Sequence, residues 1–95
     1  MNNNRISRLF AIVSCDTQRR ILFEADGTAN LNDLSKVTGH AKQYVCRFMR
    51  LLLAQGLIGK RKSGRCVYYM VIDEDLKTLL FLATQMERRL NCAAT

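Results

Sequence analysis

Apolar residues recur at Ile6, Leu9, Phe10 and Val13, the three-and-four spacing that lines one side of a short first helix. Asp16 is placed to cap a second helix, which carries Arg20, Ile21, Leu22 and Ala25 and ends near Asp26-Gly27, where glycine can take the left-handed conformation. After Gly27-Thr28-Ala29, Asn30 is placed to cap a third helix with apolar positions Leu31, Leu34 and Val37, closed by Thr38-Gly39. A fourth begins near His40-Ala41 and runs to Gln55, with Val45, Phe48, Met49 and Leu52 on one side and Lys42, Gln43, Arg47 and Arg50 on the other; Gly56 ends it. Two helices joined by a tight glycine-containing turn, the second one basic, have the pattern of a helix-turn-helix.

The period then changes. Leu57 to Arg61 and Cys66 to Ile72 are short runs rich in apolar and β-branched residues, separated by Lys62-Ser63-Gly64-Arg65, and predict a β-hairpin with a cationic tip. From Asp73 the helical spacing resumes at Leu76, Leu79, Leu80, Ala83, Met86 and Leu90. Asp73-Glu74-Asp75 at the start of this last helix and Arg88-Arg89 near its end suit the macrodipole. Phe81 and Leu82 lie off the stripe, so the helix is apolar on more than one face and calls for a second covering surface, for which another copy of the chain is the economical candidate.

Ninety-five residues make one domain, 1–95, with little margin for a large enzyme cleft. Fifteen Lys and Arg against eight Asp and Glu give a net charge of +7, and their distribution tells more than the total. From Leu34 to Ile72 there are eight basic residues, Lys36, Lys42, Arg47, Arg50, Lys60, Arg61, Lys62 and Arg65, and no acidic one. Such segregation builds a one-signed field, the footprint of a polyanion binder. One His, scattered Cys and no carboxylate pair at a useful spacing leave no general acid and base to assemble, which argues against an enzyme.

Cys15, Cys46, Cys66 and Cys92 are widely spaced with no C-x-x-C pair, so free thiols in a reducing cytoplasm are expected rather than a zinc ribbon or disulfide scaffold. Arg5 and Arg8 before the run Leu9 to Val13 and Ser14-Cys15 superficially resemble a lipoprotein signal, but an apolar core of about five residues falls short of the roughly 7–15 required. No apolar run approaches the roughly 18–20 residues of a membrane span.

The order α-α-α-α-β-β-α and several local strings resemble the ArsR/SmtB family of bacterial winged helix-turn-helix regulators. The strings are Cys15-Asp16-Thr17-Gln18-Arg19-Arg20-Ile21-Leu22, Leu34-Ser35-Lys36-Val37-Thr38-Gly39, Val45 to Leu52 followed by Gln55-Gly56-Leu57-Ile58, and Lys62-Ser63-Gly64-Arg65-Cys66-Val67-Tyr68-Tyr69. The resemblance implies a mainly α winged helix and a homodimer formed through the first and last helices. It also implies a repressor, acting without catalysis, that reads an inverted repeat in double-stranded operator DNA.

In that frame Ala41, Lys42, Gln43, Tyr44 and Arg47 enter the major groove, where Gln can pair with adenine and Lys or Arg with guanine. The wing residues Lys60, Arg61, Lys62 and Arg65 reach phosphates or the minor groove. Tyr44 is alternatively a packing residue, and Arg50 alternatively half of a surface ion pair. A winged-helix module that binds protein rather than DNA is the rival reading, but it gives no reason for an acid-free Leu34 to Ile72.

Members of the family often sense metals. The positions matching two of its thiol ligands are Asn30 and Asn32, followed by Asp33, and amides are poor ligands for soft metals. The lone His40 lies in the turn before the fourth helix, so no metal site or other cofactor is expected. Other members respond to oxidants through one Cys near the second helix and one at the end of the last; Cys15 and Cys92 lie in those regions, although the usual second-helix position is Phe23 here. A Cys15 and Cys92 switch, direct oxidation of Cys46 on the fourth helix, and inert thiols all stay open.

Overall fold

The computed structural model describes the backbone of residues 3–94 and the side chains of residues 4–90. Its elements are α1 (Asn3–Ser14), α2 (Asp16–Glu24), α3 (Leu31–Thr38), α4 (Lys42–Ala54), β1 (Ile58–Ser63), β2 (Cys66–Val71) and α5 (Glu74–Ala94). Five helices and one antiparallel hairpin thus follow the expected order. The core is continuous: Leu9 and Ile12 of α1, Ile21 and Leu22 of α2, Leu34 of α3, the Val45, Phe48, Met49 and Leu52 face of α4, Leu57, Ile58, Tyr69, and Leu76 and Leu80 of α5 pack together.

The local signals around α3 and the hairpin turn hold. The Asn30 side chain accepts a hydrogen bond from the Asp33 amide at 2.9 Å, and Asp33 accepts one from the Asn30 amide at 3.1 Å, completing a reciprocal cap. Gly39 closes α3 in the left-handed conformation at φ 75°. In the hairpin, pairing runs from Ile58 with Val71 to Ser63 with Cys66. Only Gly64-Arg65 therefore remains as a two-residue turn, shorter than the four-residue tip expected. Gly64 has φ +62°, the left-handed first position that a tight turn matched to strand twist requires.

Three expectations need correction. Asp16 is the first residue of α2 and Cys15 occupies the cap position without a side-chain cap bond; the Asp16 carboxylate instead pairs with Arg19 at 3.1 Å and Arg20 at 3.8 Å. Gly27 does not cap α2, which ends at Glu24. Asp26 bridges Met70, the Gly27 amide donates to the Tyr69 carbonyl at 2.8 Å, and the Tyr69 amide donates to the Ala29 carbonyl at 3.3 Å. This segment runs beside β2 as a partial third strand, tying the hairpin base to the link between α2 and α3.

The third correction concerns which apolar residues are covered. Ile6, Phe10, Val37, Met86 and Leu90 are exposed although they continue the predicted stripes, and Phe81 and Leu82 are exposed as well. On α5 only the N-terminal half of the stripe is buried, because a chain this small has no further element to lay against the rest. Ile6 and Phe10 of α1 and Phe81, Leu82, Met86 and Leu90 of α5 are left as exposed apolar side chains.

Candidate nucleic-acid interface

The α3–α4 turn is held from inside. The buried Thr38 hydroxyl donates to the Leu34 carbonyl at 2.7 Å, and the Ser35 hydroxyl donates to the His40 carbonyl at 2.5 Å. With Val45, Phe48, Met49 and Leu52 buried, the helical period leaves Ala41, Lys42, Gln43, Tyr44, Arg47 and Arg50 exposed on α4. His40 and Tyr44 stack at 5.6 Å between centroids with rings tilted by 44°. Tyr44 is thus partly covered by the turn and is neither a core residue nor a free one.

Strand alternation divides the wing cations. The register sets Lys60 against Tyr69 and Lys62 against Val67, on the side of the sheet that carries buried Ile58, whereas Arg61 lies opposite Tyr68 on the other side. Arg61 donates to the Gly27 carbonyl at 3.1 Å and sits 5.0 Å over the Tyr68 ring, a cation–π distance. A hydrogen bond with the Cys66 thiol, its charge interaction and burial hold the Tyr68 phenol above its ordinary pKa, with Arg61 opposing. Burial raises that of Tyr69.

Two adjoining clefts run between α3, α4 and the wing. Lys42 and Arg65, distant in sequence, line one of about 290 Å³ together with Asn30, Asn32, Val67 and Tyr69. Lys42, Gln43, Cys46, Arg47 and Arg50 line the other, of about 400 Å³. Leu31 and Lys42 border both, so the cations of α4 and the wing tip share one side of the molecule. The ion pairs among the described residues engage Arg5, Arg19, Arg20 and Lys77, all outside the acid-free window. Lys42, Arg47, Arg50, Lys60, Lys62 and Arg65 have no carboxylate partner there.

The other candidates are dispersed. Asn30 is engaged in the α3 cap, and among the described residues no group of three or more His, Cys, Asp or Glu side chains comes together. Cys15, Cys46 and Cys66 are free and half-buried; the Cys92 side chain lies outside the described residues. Phe23, at the family's usual thiol position, packs beside the core. No described helix is long and apolar enough to cross a membrane.

This is the winged helix-turn-helix fold, and solved structures of transcriptional regulators share it. The AntR antimony-specific transcriptional repressor superposes with a TM-score of 0.80 at 20% identity, over 93% of this chain and 81% of that one. The homodimeric winged helix-turn-helix DNA-binding domain of a possible ArsR-family transcriptional regulator from Mycobacterium bovis gives 0.70 at 21% identity, over 90% and 80%. An ArsR-like transcriptional regulator from Rhodococcus gives 0.65 at 24% identity, over 96% and 88%. Neither a protein-family model nor a curated protein matches the sequence. The structural neighbours are regulators of the ArsR winged-helix type and not enzymes; at such low identity the likeness speaks for the fold.

Proposed function

We propose that this chain is a dimeric, cytoplasmic, non-catalytic repressor that binds an inverted repeat in double-stranded DNA. The N-terminal half of α4 would enter each major groove, with the wing on the backbone. One observation carries the reading: exposed Lys42, Arg47 and Arg50 of α4 and Arg65 of the wing line two clefts that share Leu31 and Lys42, and these cations have no acidic partner among the described residues. A basic face that merely balanced the protein's own acids would show ion pairs there.

Selection of bound duplexes from a random pool is the test, with an inverted repeat of half-sites about one helical turn apart, or a multiple, as the expected product. If about three or four cations per subunit meet phosphates, log K falls against log salt with a slope of about −5 to −7. Lys62→Ala should weaken binding to every sequence, whereas Gln43→Ala should relax one base pair per half-site. Absence of duplex binding at low ionic strength would remove the assignment.

For the input signal, we propose thiol chemistry over a soft metal, because Asn30 and Asn32 offer amides and Asn30 is already engaged in a cap. Duplex binding by reduced, oxidised and persulfide-treated protein tests it; equal binding in all three states removes the thiol input.

A further inference from the structure

Arg50 and Arg61 have different surroundings. Arg50 is exposed and lines the same cleft as Lys42, Gln43 and Arg47. Lys42, Cys46 and Arg50 follow one another at helical spacing of four, so the cationic stripe extends about 12 Å along the axis from Lys42. The ion-pair alternative for Arg50 has no support among the described residues, where every salt bridge is made by other cations.

Arg61 lines neither cleft. Its guanidinium is taken by the Gly27 carbonyl and the Tyr68 ring, on the sheet side opposite Lys60, Lys62 and the cleft-lining Val67 and Tyr69. There it fastens the wing to the segment Gly27 to Ala29, which itself pairs with β2.

We infer that Arg50 completes the phosphate-binding track of α4, while Arg61 is a positioning residue that braces the wing and contacts no DNA. The inference rests on the DNA-binding reading above and specifies which cations meet the backbone.

The test uses the full chain, the selected duplex and a salt series, comparing wild type with Arg50→Gln, Arg50→Lys and Arg61→Gln. Each phosphate contact contributes about 0.9 to the slope of log K against log salt. Losing one per subunit of a dimer therefore flattens the slope of Arg50→Gln by about 1.8, so its affinity loss over a fourfold rise in salt is about twelvefold smaller than that of wild type. Arg50→Lys, which keeps the charge, restores the slope. Arg61→Gln keeps the wild-type slope while its melting temperature falls and hydrogen exchange at the Gly27 and Tyr69 amides quickens.

A wild-type slope in Arg50→Gln, or an equal flattening in Arg61→Gln, overturns the inference with the DNA-binding reading intact. Failure of wild type to bind any duplex takes down that reading itself.

Discussion

Phe81 on α5 is 61% exposed in the single chain, and serine at this position is the most direct probe of what covers the outer face. A phenylalanine presents about 200 Å², so about 120 Å² of Phe81 meets water. At about 25 cal/mol per Å², burying all of it against a partner would contribute about 3 kcal/mol per copy and about 6 kcal/mol per dimer. If the interface covers half of that area, Phe81→Ser raises the dimer dissociation constant more than about a hundredfold, since each 1.4 kcal/mol is tenfold.

Sedimentation equilibrium over a micromolar concentration series reads this directly. Circular dichroism melting serves as a fold control, because Phe81 also lines a groove with Phe23 and Met70. Met86→Lys, farther along α5 and likewise exposed, should act in the same direction with less effect on the monomer. Wild type that stays monomeric throughout, or two variants that dimerise as tightly as wild type, would refute the argument that exposed apolar area on α5 implies a second copy.

Other expectations concern the scaffold that presents the interface. Asn30→Ala removes the reciprocal cap of α3 and should lower stability by about 1 kcal/mol, a fall of about 4–8 °C in melting temperature; an unchanged melt would show that the cap contributes nothing. Leu34→Ala, at a fully buried core position, should cost about 2–5 kcal/mol in a denaturant titration, and a loss well under that range would mean the site collapses without a cavity.

Asp73 links charge to pH. Hydrogen bonds from Arg5 at 2.8 Å and from the Leu76 amide at 2.9 Å hold its carboxyl below the ordinary value. A depressed folded-state pKa contributes stability above the unfolded value, about 3.9, and that contribution is lost as pH falls through the folded value. The melting temperature of Asp73→Asn, which keeps an acceptor for the Leu76 amide, should therefore fall less steeply than that of wild type below about pH 4; parallel acid limbs would contradict this.

Much of the fold was legible in the chain because it is decided within a few residues. Caps, turn glycines and the buried face of α4 depend on neighbours three or four positions away, and Asn30, Gly39, Gly64 and the Val45, Phe48, Met49 and Leu52 face behaved as their spacing requires, whereas Asp16 missed the cap position of α2 by one residue. The candidate interface was legible in composition, since an acid-free window of 39 positions is visible as text.

What the text could not carry was long-range. Pairing of Asp26 to Ala29 with β2 uses backbone groups with no side-chain signature. Periodicity names the apolar face of a helix without saying whether its own chain covers it, which is why the stripes containing Ile6, Phe10, Met86 and Leu90 did not reveal that these four are exposed. Charge gives the number of cations but not what each one meets: the segment running beside β2 put the Gly27 carbonyl within reach of Arg61, and packing of α4 against α3 set Lys42, Arg47 and Arg50 along one cleft with Leu31. Local chemistry chose the elements and the sign of the field, while tertiary packing alone chose which side chains share a surface.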